Sequence, residues 1–178
     1  MQGWRARAVP VMAAIAMAAL LAFGARLAHG QDRLAQYKTQ FAAEKDPVRK
    51  AKLLQKISAP QFEAVHRQVQ SGNLEQGVTS LESFKDDCAA THQLLKAKGV
   101  DPEQRPAGFK ELQISVRQTL NRLSELLAGL SGDDQKPFLL VRDQLEELDS
   151  ELIRELFPRQ SKPGSQTNPK PSTKDNKQ

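Results

Sequence analysis

A single cysteine, Cys88, rules out an internal disulfide and any Cys-x-x-Cys-His haem attachment. In an exported chain such a thiol is a buried apolar side chain, half of an intermolecular bridge, or a reactive group. Histidine is nearly as scarce, with three in the chain and only His66 and His92 beyond residue 30. No phosphate-binding glycine loop, nucleophile elbow or His-Glu-x-x-His pair occurs. Nowhere do β-branched residues alternate with polar ones between turn signals, so no strand is expected. No apolar run reaches the ~20 residues that a membrane-crossing helix needs. The expectation is therefore a protein that is not an enzyme and carries no cofactor.

What is present begins at the N-terminus. Arg5 and Arg7 precede an uncharged apolar run from Val11 to Phe23, and Ala28-His29-Gly30 places small residues before Gln31. Basic, then apolar, then small-x-small is the order of a secretory signal peptide. It predicts a signal peptide over residues 1–30, cleavage near Gly30-Gln31, and a periplasmic or extracellular location. The alternative is an uncleaved run serving as an N-terminal membrane anchor, with Arg5 and Arg7 on the cytoplasmic side.

Charge divides along the chain. Overall, 26 Lys and Arg face 21 Asp and Glu, a formal +5. Residues 159–178 hold five basic side chains and one acid, whereas residues 31–158 hold 18 basic and 20 acidic ones. The high pI belongs to the two ends. A nucleic-acid domain should carry a basic fold, so no nucleic-acid partner is expected. Residues 158–178 are rich in Pro, Ser, Lys, Asn and Gln and have no apolar side chain to bury, the composition of a disordered tail. Such a tail suits weak electrostatic contact with an anionic envelope surface.

Between the ends the periodicity is helical. Phe109, Leu112, Val116, Leu120, Leu123, Leu127 and Leu130 recur at steps of three and four, as do Phe138, Val141, Leu145, Leu148, Leu152 and Leu156. Ser131-Gly132-Asp133-Asp134 separates the two stripes, with Gly132 as a stop and Pro137 in the first turn of the next helix. A third helix is predicted from Leu74 to about Leu95, capped by Asn73, with Leu74, Val78, Leu81, Phe84 or Lys85, Cys88 and Leu95 near one face. Residues 47–71 supply the fourth. Ser58-Ala59-Pro60-Gln61 reads as a capping box that breaks it near Pro60. A further segment with Leu34, Tyr37 and Phe41 precedes it. The expected fold is all-α: an antiparallel helical bundle of about four long helices, the first one broken, over residues 31–157.

Two pairings have metal-ligand character. Glu63 and His66 form a Glu-x-x-His pair on one helix face, as in di-iron bundles, but those need a second such pair, and Ala89 stands where His92 would require a glutamate. Cys88 and His92, at i and i+4, supply two of the four ligands of a zinc site. His66 lies ~15–21 Å along the hairpin from them and does not complete the set. No metal site is expected, and Glu63, His66, Cys88 and His92 remain the candidates for a metal-binding or metal-sensing alternative. Glu147, Glu151 and Glu155, stacked at i, i+4 and i+8, read as a solvated face. Thr119 and Glu155 interrupt the apolar faces and are candidates for lining a shallow partner groove.

Gly72 to Leu81 (GNLEQGVTSL) resembles the turn and second helix of a tetratricopeptide unit, but no second copy follows, and such repeats need about three. Leu130 to Gln135 is similar to the Leu-Thr-x-x-Gln turn of periplasmic helical chaperones of the Spy type, with Ser in place of Thr and Gln one position late. Neither assigns a family. The functional expectation is an exported, non-enzymatic interaction or envelope-associated module, with an unknown protein partner or self-association.

Overall fold

The structure, a computed structural model, describes residues 32–158, so the segment expected to be a signal peptide and the expected tail beyond Pro158 lie outside the described residues. The described residues are helical, with no strand among them. The described residues form five helices rather than four: α1 (residues 32–43), α2 (Pro47–Gln70), α3 (Leu74–Ala97), α4 (Phe109–Ala128) and α5 (Gly132–Leu156). Both stripes expected on α4 and α5 are buried from Phe109 to Leu127 and from Phe138 to Leu156. On α3 the inward residues are Leu81, Phe84, Cys88 and Leu95, which settles Phe84 over Lys85. Leu34, Tyr37 and Phe41 of α1 pack half-buried against this core.

The predicted break in α2 does not occur. Asp46 accepts a hydrogen bond from Arg49 N at 3.0 Å, Pro47 opens the first turn, and the helix runs through Pro60 to Gln70. The residues of the supposed capping box do other work. Ser58 Oγ donates to Gln55 O at 3.1 Å, and Gln61 Nε2 donates to Ser80 O on α3 at 2.7 Å. Proline inside a helix forfeits one backbone hydrogen bond and crowds the carbonyl four residues back, costing about 3 kcal/mol. Leu54 and Ile57 before it, and Phe62 and Val65 after it, are buried on one stripe, and that shared burial holds both halves in line.

Two other local expectations are corrected. Asn73 occupies the cap position of α3 but makes no side-chain cap; its Nδ2 donates to Ser71 Oγ at 3.2 Å. Gly132 is the first residue of α5 rather than a stop, so Pro137 falls in the second turn. Gln135 reaches back from α5 and donates to both Leu127 O and Leu130 O at 2.9 Å, satisfying carbonyls that the end of α4 leaves open.

α2 packs on α3 and α4, and α5 packs on the same two; α2 and α5 do not approach each other. Within each hairpin the helices are antiparallel, as Gln61–Ser80 on α2 and α3 and Gln113–Asp149 on α4 and α5 require. Across hairpins they are parallel. Arg122 NH1 donates to Ala59 O at 3.3 Å, and Gly108 lies against Val48, so α4 runs with α2. His92 meets Glu155, and Gly77 meets Phe138, so α3 runs with α5. The expectation of antiparallel neighbours throughout is thus half met, because residues 98–108 return the chain across one end of the molecule. Gly108, at φ +92°, is what lets this connection lie so close: an added Cβ would sit 2.6 Å from Leu95 Cδ2. Among the described residues no helix is long and apolar enough to cross a membrane.

Candidate functional site

The four residues with ligand chemistry fall into two separate places. Cys88 is fully buried on α3. Burial pushes its thiol far above the ordinary range, and the neighbouring Asp87 carboxylate adds to the rise. A thiol held protonated in the core is a poor nucleophile and a poor ligand. His92, one turn on, is only 1% exposed. Its Nε2 hydrogen-bonds Glu155 Oε2 at 2.7 Å, its Nδ1 lies 3.7 Å from Glu151 Oε2, and its ring meets Phe109 edge-on at 6.1 Å. Lys96 Nζ closes the cluster 3.5 Å from Glu155 Oε1. The imidazole is therefore hydrogen-bonded to Glu155 and faces Glu151 on α5, and the cluster ties α3 to α5.

This corrects the solvated reading of the glutamate row. Glu147 is exposed, but Glu151 and Glu155 are half-buried beside His92. Nor does Thr119 line a groove: it is buried and donates to Ser115 O at 2.9 Å. A second polar cluster was missed in the sequence. Asp149 is 6% exposed and accepts from Gln113 Nε2 at 3.0 Å and from Arg117 NH2 at 2.6 Å. Its signal was available, since a carboxylate between Leu145 and Leu152 at i+4 and i+7 stands on the buried stripe.

Glu63 and His66 lie elsewhere, at a shallow groove of about 290 Å³ between α2 and α4, with Phe62, Arg122, Glu125 and Leu126. Among the described residues no three His, Cys, Asp or Glu side chains are placed to hold a metal ion. The larger groove, about 490 Å³, runs between α1 and α2 and is bordered by Gln40, Ala43, Glu44, Arg49, Lys52, Leu53 and Lys56. Glu44 there is occupied by the backbone, accepting from Lys45 N and Asp46 N at 2.9 Å.

Charge is distributed unevenly over this frame. Residues 32–70 hold eight Lys and Arg against four Asp and Glu, while α5 holds three against eight. The basic helices and the acidic helix occupy opposite sides of the molecule, since α2 and α5 both pack on α3 and α4 but not on each other. No protein family matches this chain, and neither the curated proteins nor the solved structures yield a match.

Proposed function

We propose that this is an exported, non-enzymatic interaction module, a bundle of four long helices that works in the periplasm or outside the cell through its surface. The observation that carries the reading is the division of charge between α1–α2 and α5. It offers two faces of opposite sign, and complementary potentials steer and orient protein partners. The placement of the candidate reactive groups agrees with it. Cys88 lies in the core, and His92 is spent on joining α3 to α5. Export rests on the order of residues 1–30, and an N-terminally anchored form is the alternative. The five basic side chains over residues 159–178 add loose, salt-sensitive attraction to anionic envelope surfaces, screened beyond ~8 Å at physiological salt.

Affinity capture from an envelope fraction with the purified chain tests the reading: specific recovery of a partner, lost when the basic or acidic face is reversed, is expected. Turnover of a substrate that a point mutation abolishes would sink it. The metal-binding alternative, through Glu63, His66, Cys88 or His92, predicts stoichiometric metal in the isolated protein and a thermal shift on metal addition. Elemental analysis separates the two.

A further inference from the structure

The α1–α2 groove carries charge that its own surroundings leave uncompensated. Arg49, Lys52 and Lys56 follow one another at i, i+3 and i+7 along α2, a row about 10 Å long, with Leu53 beside them. Among the described residues neither Lys52 nor Lys56 has a carboxylate within 4.0 Å, and Arg49 has only Glu44, at that limit. The outward face of α5 repeats the spacing with the opposite sign. Leu140 is 60% exposed, and Asp143 and Glu147 follow at i+3 and i+7. Arg142 answers Asp143 and Glu146, while Glu147 has no basic partner among the described residues. Three cations and Glu44 therefore face three acids and Arg142: a net +2 groove and a net −2 ridge, each with one leucine.

Within one molecule these surfaces cannot meet, because α2 and α5 lie on opposite sides of α3 and α4. We propose that the groove between α1 and α2 receives the outer face of α5 from a second copy of this chain, so that copies associate head to tail. The two surfaces differ, so the contact is heterologous and extends into a ring or a filament rather than closing as a two-fold dimer. Exposed ion pairs are individually weak and screened by salt. The assembly is accordingly a low-affinity, salt-sensitive one, strengthened where export concentrates the protein. The inference rests on the interaction reading above and names its partner.

Sedimentation of the chain as isolated from its host tests this at about 0.01 M and about 1 M salt, where the screening length falls from ~30 to ~3 Å. The mass should rise with protein concentration in the dilute buffer and stay monomeric in the concentrated one. Lys52→Glu with Lys56→Glu, and separately Asp143→Lys with Glu147→Lys, should each weaken association at least about tenfold. All four positions are exposed, and helicity checks that the fold is kept. An equimolar mixture of the two variants pairs the intact groove of one with the intact ridge of the other, and the reversed groove, now acidic, with the reversed ridge, now basic, so growth that each variant lacks alone should return in the mixture. A monomeric wild-type chain in dilute salt, or a mixture that fails to pair, overturns the proposal. Inorganic phosphate or vesicles of anionic lipid bound through Lys52 and Lys56 by a chain that stays monomeric would reassign the groove to that anion. A monomeric chain that still captures an envelope protein overturns self-association alone and leaves the interaction reading standing.

Discussion

Asp149 shows how unequal the two ends of one ion pair can be. Its carboxylate is buried, whereas the Arg117 side chain that answers it is half exposed. Removing the arginine strands a buried acid, and removing the acid returns the arginine to water. Arg117→Ala should therefore cost about 1–3 kcal/mol, while Asp149→Leu, which extends the apolar stripe of α5, should change stability by under about 1 kcal/mol. Urea denaturation of the two variants checks the order. Asp46 gives the acid-side behaviour. The Lys98 ammonium, 2.7 Å away, and then the Arg49 backbone N–H hold its carboxyl below the usual value of 3.8. A carboxyl depressed in the folded state contributes stability that is present above the unfolded value and is lost as pH falls through the folded one. Denaturation midpoints followed from pH 5 down to about pH 2 should thus fall less steeply for Asp46→Asn than for the wild type.

Among the elements, α2 and the connection into α4 are where local preference and tertiary demand conflict. Pro60 interrupts a helix whose two halves are held in line by packing. Pro60→Ala restores a backbone hydrogen bond and relieves crowding, a gain of about 3 kcal/mol reduced by the greater freedom of the unfolded chain. A net rise of about 1–2 kcal/mol, read as a higher melting temperature, is expected. At Gly108 the effect has the opposite sign. An alanine there takes on a positive φ and presses on Leu95 Cδ2 and on the Val48 backbone, which α2 holds in place. Strain of about 1–2 kcal/mol and overpacking of about 1–3 kcal/mol should together lower stability by about 2–5 kcal/mol. Thermal unfolding of Gly108→Ala measures it.

At the scale of the whole molecule, α2, α3, α4 and α5 share one core, while α1 covers it with three half-buried side chains and the contacts of Lys50. Lys50 donates to Phe41 O at 2.8 Å and lies 4.0 Å from that ring's centroid. Tyr37 on α1, the chain's one tyrosine, should therefore report undocking at a lower denaturant concentration than the helical signal of the core. Coincident transitions would mean that α1 unfolds with the rest. The sequence by itself determined the helical class and the inward stripes of α3, α4 and α5, because a 3.6-residue period in apolar side chains is local and leaves few alternatives. Of the three readings open for Cys88, the tertiary structure selected burial. The sequence misjudged Pro60, where a capping pattern in four residues competed with burial along the entire helix. It also misjudged Glu151 and Glu155, which look like surface residues on their own helix and become half-buried partners of His92 only when α3 runs beside α5. Which helices become neighbours was decided by the path of residues 98–108 and the tight fit at Gly108. That choice of neighbours, a contact between segments some sixty residues apart, set the basic groove and the acidic ridge on opposite sides, because no periodicity within one helix encodes the helix it will face.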